Sequence, residues 1–138
     1  MASRLNPYLN FDGDARAALE HYRDVFGGEL DVRTYGSFGN EDEAVRDLVM
    51  HGMLETPAGF VLMAADVPPG HPFQAGNTTT ISVSGDDVPE LRQAFHALAD
   101  GGQVVTPLQV MVWGDEFGQV TDRFGTPWLF NIAGTPAG

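Results

Sequence analysis

Apolar side chains recur at helical spacing twice along the chain, and each time the stretch opens on Gly-Asp and closes on Gly-Gly. In "FDGDARAALEHYRDVFGG", residues 11–28, Ala15, Ala18, Leu19, Tyr22 and Phe26 form one stripe. Their spacing of i, i+3, i+4, i+7 and i+11 predicts an amphipathic helix, with Asp14 as N-cap and Gly27-Gly28 as its stop. In "VSGDDVPELRQAFHALADGG", residues 83–102, Val88, Leu91, Phe95 and Leu98 make the equivalent stripe. Asp87 and Glu90 sit in capping-box register there, and Pro89 is tolerated in the first turn.

Shorter stretches with strand character surround both helices. Before the first lies "RLNPYLNF"; after it come "ELDVRTYGSF", "DLVMHGMLE" and "GFVLMAADV". Before the second lies "TTTISVS", and after it come "QVVTPLQVMVW", "FGQVTDRF" and "TPWLFNIA". The predicted order is βαβββ, twice, an internal duplication of about 72 residues from Asn6 to Thr78. "DVPPGHPFQAGN" has the composition of a linker, and "GNEDEAVRD" that of an exposed acidic loop. The expected organisation is α+β: one domain, 1–138, built of a first module at 1–68 and a second at 77–134.

A helix covers one face of its strands, so alternation predicts which residues turn away from it. Leu5, Leu9 and Phe11 should lie under the first helix, leaving Asn6, Tyr8 and Asn10 on the opposite face. Ile81 and Val83 should lie under the second, leaving Thr78, Thr80 and Ser82. The two opposite faces are expected to enclose a cleft. Trp128 and Phe130 should be covered by a helix, because Leu129 takes the cleft parity.

Composition narrows the function classes. With 138 residues, 43% hydrophobic, the chain is long enough for a cored domain. Its net charge of −12, with Arg as its sole basic residue type and no Lys, argues against nucleic acid and anionic membranes as partners. Cysteine is absent, which excludes disulfides, thiolate metal sites and cysteine nucleophiles and fits a cytoplasmic protein. No secretory signal or apolar run of membrane-spanning length is evident.

Three longer segments, "NPYLNFDGDARAALEHYRDVFGGEL", "MHGMLE" and "WGDEFGQVTDRFGTPW", carry a resemblance. In them the chain resembles the vicinal oxygen chelate superfamily, which includes glyoxalase I, extradiol dioxygenases and bleomycin-type resistance proteins, and within it the PhnB-like branch. The resemblance implies the glyoxalase/bleomycin-resistance fold and a homodimer. It also implies a divalent metal held by His and Glu from the first and last strands of each module. Laid on that pattern, the four positions are Asn6, Met63, Thr78 and Leu129, and none is a good ligand. No metal and no cofactor are therefore expected.

Other chemistry is thin. His21 and His96 belong to the helices and His71 to the linker. His51 stands mid-strand, either facing the cleft or satisfied in the core. No nucleophile elbow, phosphate loop, His-Glu-x-x-His motif or dinucleotide fingerprint occurs, and "GNEDE" lacks calcium-loop spacing. Asp122 reads as the residue that orders the turn at Arg123-Phe124-Gly125.

What remains is a set of flat and soft side chains. Asn6, Tyr8, Phe38, His51, Met63, Thr78, Thr80, Met111, Trp113 and Phe117 are the expected ligand-binding residues. Aromatic faces and thioethers suit a large apolar or aromatic ligand. The sequence favours a metal-independent binding protein that sequesters a hydrophobic natural product. The alternative is an enzyme, metal-dependent or using His51 as general base, of lyase, isomerase or dioxygenase type.

Overall fold

The computed structural model describes residues 3, 5–68, 70–74, 76 and 78–134. Arg4, in the expected first strand, Pro69 and Ala75, in the expected linker, and Asn77, the expected start of the second module, lie outside them. The chain divides into two compact units, Met1–Ala75 and Gly76–Gly138, and each follows the order βαβββ.

The first unit runs β1 (Tyr8–Phe11), α1 (Ala15–Phe26), β2 (Glu29–Thr34), a 3-10 turn (Gly36–Phe38), β3 (Val49–Glu55) and β4 (Val61–Asp66). Its sheet has the order β1-β4-β3-β2, with β1 parallel to β4 and the other pairs antiparallel. The second runs β5 (Ile81–Gly85), α2 (Val88–Ala99), β6 (Gln103–Val110), β7 (Glu116–Thr121) and β8 (Pro127–Ile132), ordered β5-β8-β7-β6. The repeat is not rigid. Tyr8 and Ser82, register partners of Met63 and Leu129, are 74 residues apart, whereas Met63 and Leu129 are 66 apart. The second unit joins β6 to β7 by a tight turn where the first has the long β2–β3 connection.

Each helix buries most of its predicted stripe on one face of its own sheet, while Phe26 and Val88, at a helix end each, stay half-buried. Ala15, Ala18, Leu19 and Tyr22 are sealed in the first unit, and Leu91, Ala94, Phe95 and Leu98 in the second. Gly52 lies under Leu19 and Gly118 under Phe95, where a Cβ would collide with the helix side chains. Phe95 meets Phe130 edge-on at 5.5 Å, and Trp128 and Phe130 are buried as their parity predicts. Side chains of this size contribute roughly 1.5–3 kcal/mol each on burial, which is what holds the helices down.

Five expectations need correction. Leu5 does not lie under α1: β1 begins only at Tyr8, and Leu5, ahead of it with no partner strand, is fully exposed. Asp14 makes no side-chain cap. Asp66, buried at the end of β4, takes its place: Oδ1 accepts from Gly13 N and Ala15 N, each at 2.9 Å, and Oδ2 from Val49 N at 2.9 Å. A buried carboxylate held by the sheet outcompetes a solvated one on the loop, since it costs less to order. Strand β5 begins at Ile81, so Thr78 and Thr80 precede it, exposed. Strand β2 stops at Thr34, leaving Phe38 in the 3-10 turn; the Thr34 hydroxyl accepts from Ser37 N and starts that turn. Strand β6 stops at Val110, so Met111 and Trp113 belong to a turn, closed by Gly114 N on Met111 O.

Asp87 accepts from Glu90 N at α2, as its spacing predicts. Asp122 is buried and orders its turn through Phe124 N and Thr126 N, and it also takes the indole N–H of Trp128 at 2.9 Å.

Candidate functional site

Residues directly opposite on paired strands share a face of the sheet, so register defines what stands on the faces the helices leave open. In the first unit Tyr8 pairs Met63, Met63 pairs Met53 and Met53 pairs Asp31. They form one row across all four strands, on the side away from α1. Arg33 pairs His51 in the adjoining position. His51 is thereby on the helix-free face and not in the core: the buried residues of β3 are Val49, Gly52 and Leu54. Tyr8 Oη stands 3.4 Å from His51 Nδ1, with ring centroids 5.8 Å apart. Desolvation, with Tyr35 adding to it, pushes the Tyr8 phenol above its ordinary range, so the hydroxyl stays neutral, and the tautomer of the His51 ring sets which of the two donates.

The corresponding row of the second unit is Ser82, Leu129, Gln119 and Thr106. Thr106 Oγ1 donates to Gln119 Oε1 at 3.0 Å, in keeping with a shared face. Phe117 and Asn131 face each other in the neighbouring row. Trp113 meets Phe117 at 6.4 Å, near perpendicular, although it belongs to the turn.

That turn is tied by Asp115. Its backbone carbonyl accepts from Met111 N, Oδ1 from Gly134 N, and Oδ2 from Asn131 Nδ2, the last two at 2.9 Å. The Gly134 amide, and after it the Asn131 amide, hold the Asp115 carboxyl below its ordinary range. A depressed folded-state pKa means the tie is complete above the ordinary carboxylate pKa and is lost as pH falls through the lower value. The Gly134 amide resonance is accordingly expected to titrate, followed by NMR, with a midpoint below that of an ordinary aspartate. A midpoint at or above that value would contradict the bonding described.

The structure thus brings Tyr8, His51 and Met63 to one face and Phe117 and Trp113 together on another. It does not place Asn6, Phe38, Thr78, Thr80 or Met111 on a strand. Met53 went unnoticed, although alternation from His51 marks it. Two open cavities lie in the first unit. One of about 470 Å³ is lined by Glu29, Asp31, Met53 and Glu55 among others, the other of about 500 Å³ by Leu5, Asn6, Phe60 and Val61.

A family model described as the Glyoxalase/Bleomycin resistance protein/Dioxygenase superfamily matches residues 4–130. The chain belongs to this superfamily. Among relatives of the superfamily member described here, the Escherichia coli protein YjdN is 28% identical, over 93% of this chain and 94% of its own. The crystal structure of PA1353 from Pseudomonas aeruginosa is 35% identical, with a TM-score of 0.83, covering 97% of this chain and all of that one. A Bacillus cereus PhnB protein, titled a putative 3-demethylubiquinone-9 3-methyltransferase, shares the fold at 22% identity and a TM-score of 0.79, over 95% of this chain and all of its own.

The metal that the superfamily resemblance implies does not fit the donors present. Register puts Tyr8, not Asn6, beside Met63, and Ser82, not Thr78, beside Leu129. A phenol, a thioether, a hydroxyl and a hydrocarbon do not make a divalent-ion set. Among the described residues no three His, Asp or Glu side chains are grouped to hold a metal ion. Nor, among them, is any helix long and apolar enough to cross a membrane.

Proposed function

We propose that this superfamily member is a cytoplasmic, metal-independent binding protein, working as a homodimer, that sequesters a hydrophobic or aromatic natural product of the antibiotic type. The observation that carries this reading is the row Tyr8–Met63–Met53 on a helix-free face, supported by the Trp113–Phe117 pair. Flat rings and polarisable thioethers bind extended apolar ligands by contact area and need no titrating group. The family description names bleomycin resistance proteins beside glyoxalases and dioxygenases.

Native mass spectrometry of freshly purified protein tests the reading in one spectrum. A metal-free dimer carrying an organic adduct is the expected result, and one stoichiometric divalent ion per chain would overturn it. For the ligand so identified, Trp113→Ala should weaken binding at least tenfold with the thermal midpoint unchanged, because Trp113 is 57% exposed and contributes ring contact rather than core. Unchanged affinity in a calorimetric titration would remove Trp113 from the binding face.

A second reading, a metal-free His-based lyase or isomerase, is favoured by the Tyr8–His51 contact alone. In that reading His51, touching the Tyr8 phenol through Nδ1, would act as general base through its other ring nitrogen. Turnover abolished by His51→Ala, with binding retained, would select it.

A further inference from the structure

Of the Arg and His residues spread along the chain, only Arg33 on β2 and His51 on β3 stand on strands among the described elements. They are direct register partners, on the helix-free face of the first sheet. A guanidinium is thus set against a ring that can itself take up a proton, an arrangement that cross-strand pairing does not favour. In a protein of net charge −12 it is a local reversal of sign, beside the row Tyr8–Met63–Met53.

The bonds these side chains make do not use their full donor capacity. Arg33 reaches Asp31 through Nε at 3.3 Å, an exposed pair of small worth that does not involve the terminal fork of the guanidinium. His51 meets Tyr8 Oη through Nδ1 at 3.4 Å, a contact that does not involve Nε2. The planar fork of an arginine matches a carboxylate, to which it gives two parallel N–H···O bonds.

We propose that Arg33, with His51 and the Tyr8 hydroxyl beside it, holds a carboxylate of the ligand, so that the molecule taken up on this face is an aromatic or apolar carboxylic acid. The inference rests on the binding-protein reading above and names the class of its ligand. Rows two residues apart on a strand lie about 6–7 Å from one another. A carboxylate on Arg33 therefore puts the ring attached to it over Met53 and Met63. The other end of the face fixes the direction. Glu29 and Glu55 oppose each other directly there, and Asp31 stands in the row between them and Arg33, so an acid lying the other way round would be repelled. Asp31 stays on Nε while the ligand takes the fork.

Naphthoate and naphthamide, one ring system with and without the charge, are the probes, titrated into isotope-labelled protein with the backbone amides followed by NMR. The wild type should bind the acid about tenfold more tightly than the amide, with the shifts centred on His51, Met53 and Met63. Arg33→Met keeps an unbranched stem at an exposed position and should bring that ratio near one. Arg46→Met, in the exposed β2–β3 connection, removes the same charge elsewhere and should leave the ratio as it is. Should Arg33→Met fail to fold, Arg33→Lys decides, since it keeps the charge without the fork and should lower the ratio severalfold. A ratio that the Arg33 variant leaves unchanged would overturn the carboxylate subsite and leave the apolar row standing. Naphthalenesulfonate binding more tightly than naphthoate would overturn the assignment to a carboxylic acid. No shift in the row with either naphthoate or naphthamide at millimolar concentration would overturn the subsite and the binding face together.

Discussion

Replacing Asp66 with Ala should destabilise the protein by about 4 kcal/mol, a large share of the 5–15 kcal/mol that a domain of this size possesses. The buried carboxylate is the partner of three backbone amides, at Gly13, Ala15 and Val49. Removing it strands those donors away from water, and each orphan costs roughly 1–3 kcal/mol. Asp66→Asn should recover part of the loss, since its amide oxygen still accepts while its NH₂ opposes a donor. Asp12→Ala, at an exposed position, should stay within about 0.5 kcal/mol. Urea denaturation followed by far-ultraviolet circular dichroism measures all three. A loss under about 1 kcal/mol for Asp66→Ala would mean that water replaces the carboxylate and that the buried anchor is not one.

A comparable loss, about 4 kcal/mol or failure to accumulate as folded protein, is expected for Gly28→Ala. Two effects add at this position. Its φ of +111° is one that L side chains rarely adopt, and a Cβ there would run into the Glu55 carbonyl oxygen and Thr56 Cα. Both obstacles are backbone, at the end of β3 and just past it, and cannot rotate aside. Gly102 meets the same obstruction at Thr121 and Asp122 in the second unit. Gly59, at φ +89° with open space around it, isolates the conformational part and should cost only about 1 kcal/mol on mutation to Ala. Soluble yield and urea midpoints separate the cases. Equal losses at Gly28 and Gly59 would show that the close approach carries no weight.

The helices and the strand parities were legible because both rest on one-sided burial, which leaves a period in the sequence. Leu19, Tyr22, Phe95 and Leu98 are buried where the stripes put them, and Phe11 and Val83 where alternation does. Strand ends were not legible, because they depend on local hydrogen bonding that leaves no period. The Thr34–Ser37 contact ends β2 before Phe38, and the run of threonines from Thr78 to Thr80 has β propensity but no partner strand. Asp66 acts on Ala15 from 51 residues away, a distance at which capping rules are silent. One signal was present. Asp66 shares parity with Leu62 and Ala64, so alternation alone marks it as a carboxylate turned toward the helix. At the candidate site, Tyr8, His51 and Met63 meet on one face, yet the register partners of Met63 and Leu129 stand two residues beyond Asn6 and four beyond Thr78. A first strand that is short and paired in parallel offers no hairpin turn from which to count register.

The strand order has a consequence during synthesis. Every pairing of the first sheet is made among residues 8–66, and its outer strand β1 waits for β4 to emerge before it has a neighbour. At ordinary elongation rates of about 5–20 residues per second, that half is complete on the ribosome several seconds before β8 exists to receive β5. For that interval the nascent chain displays a finished unit followed by a growing stretch that includes the uncharged segment from Gln103 to Trp113. On crowded polysomes, slow codons beyond residue 113 would prolong the time in which that segment meets its neighbours, and synonymous changes there become a determinant of yield.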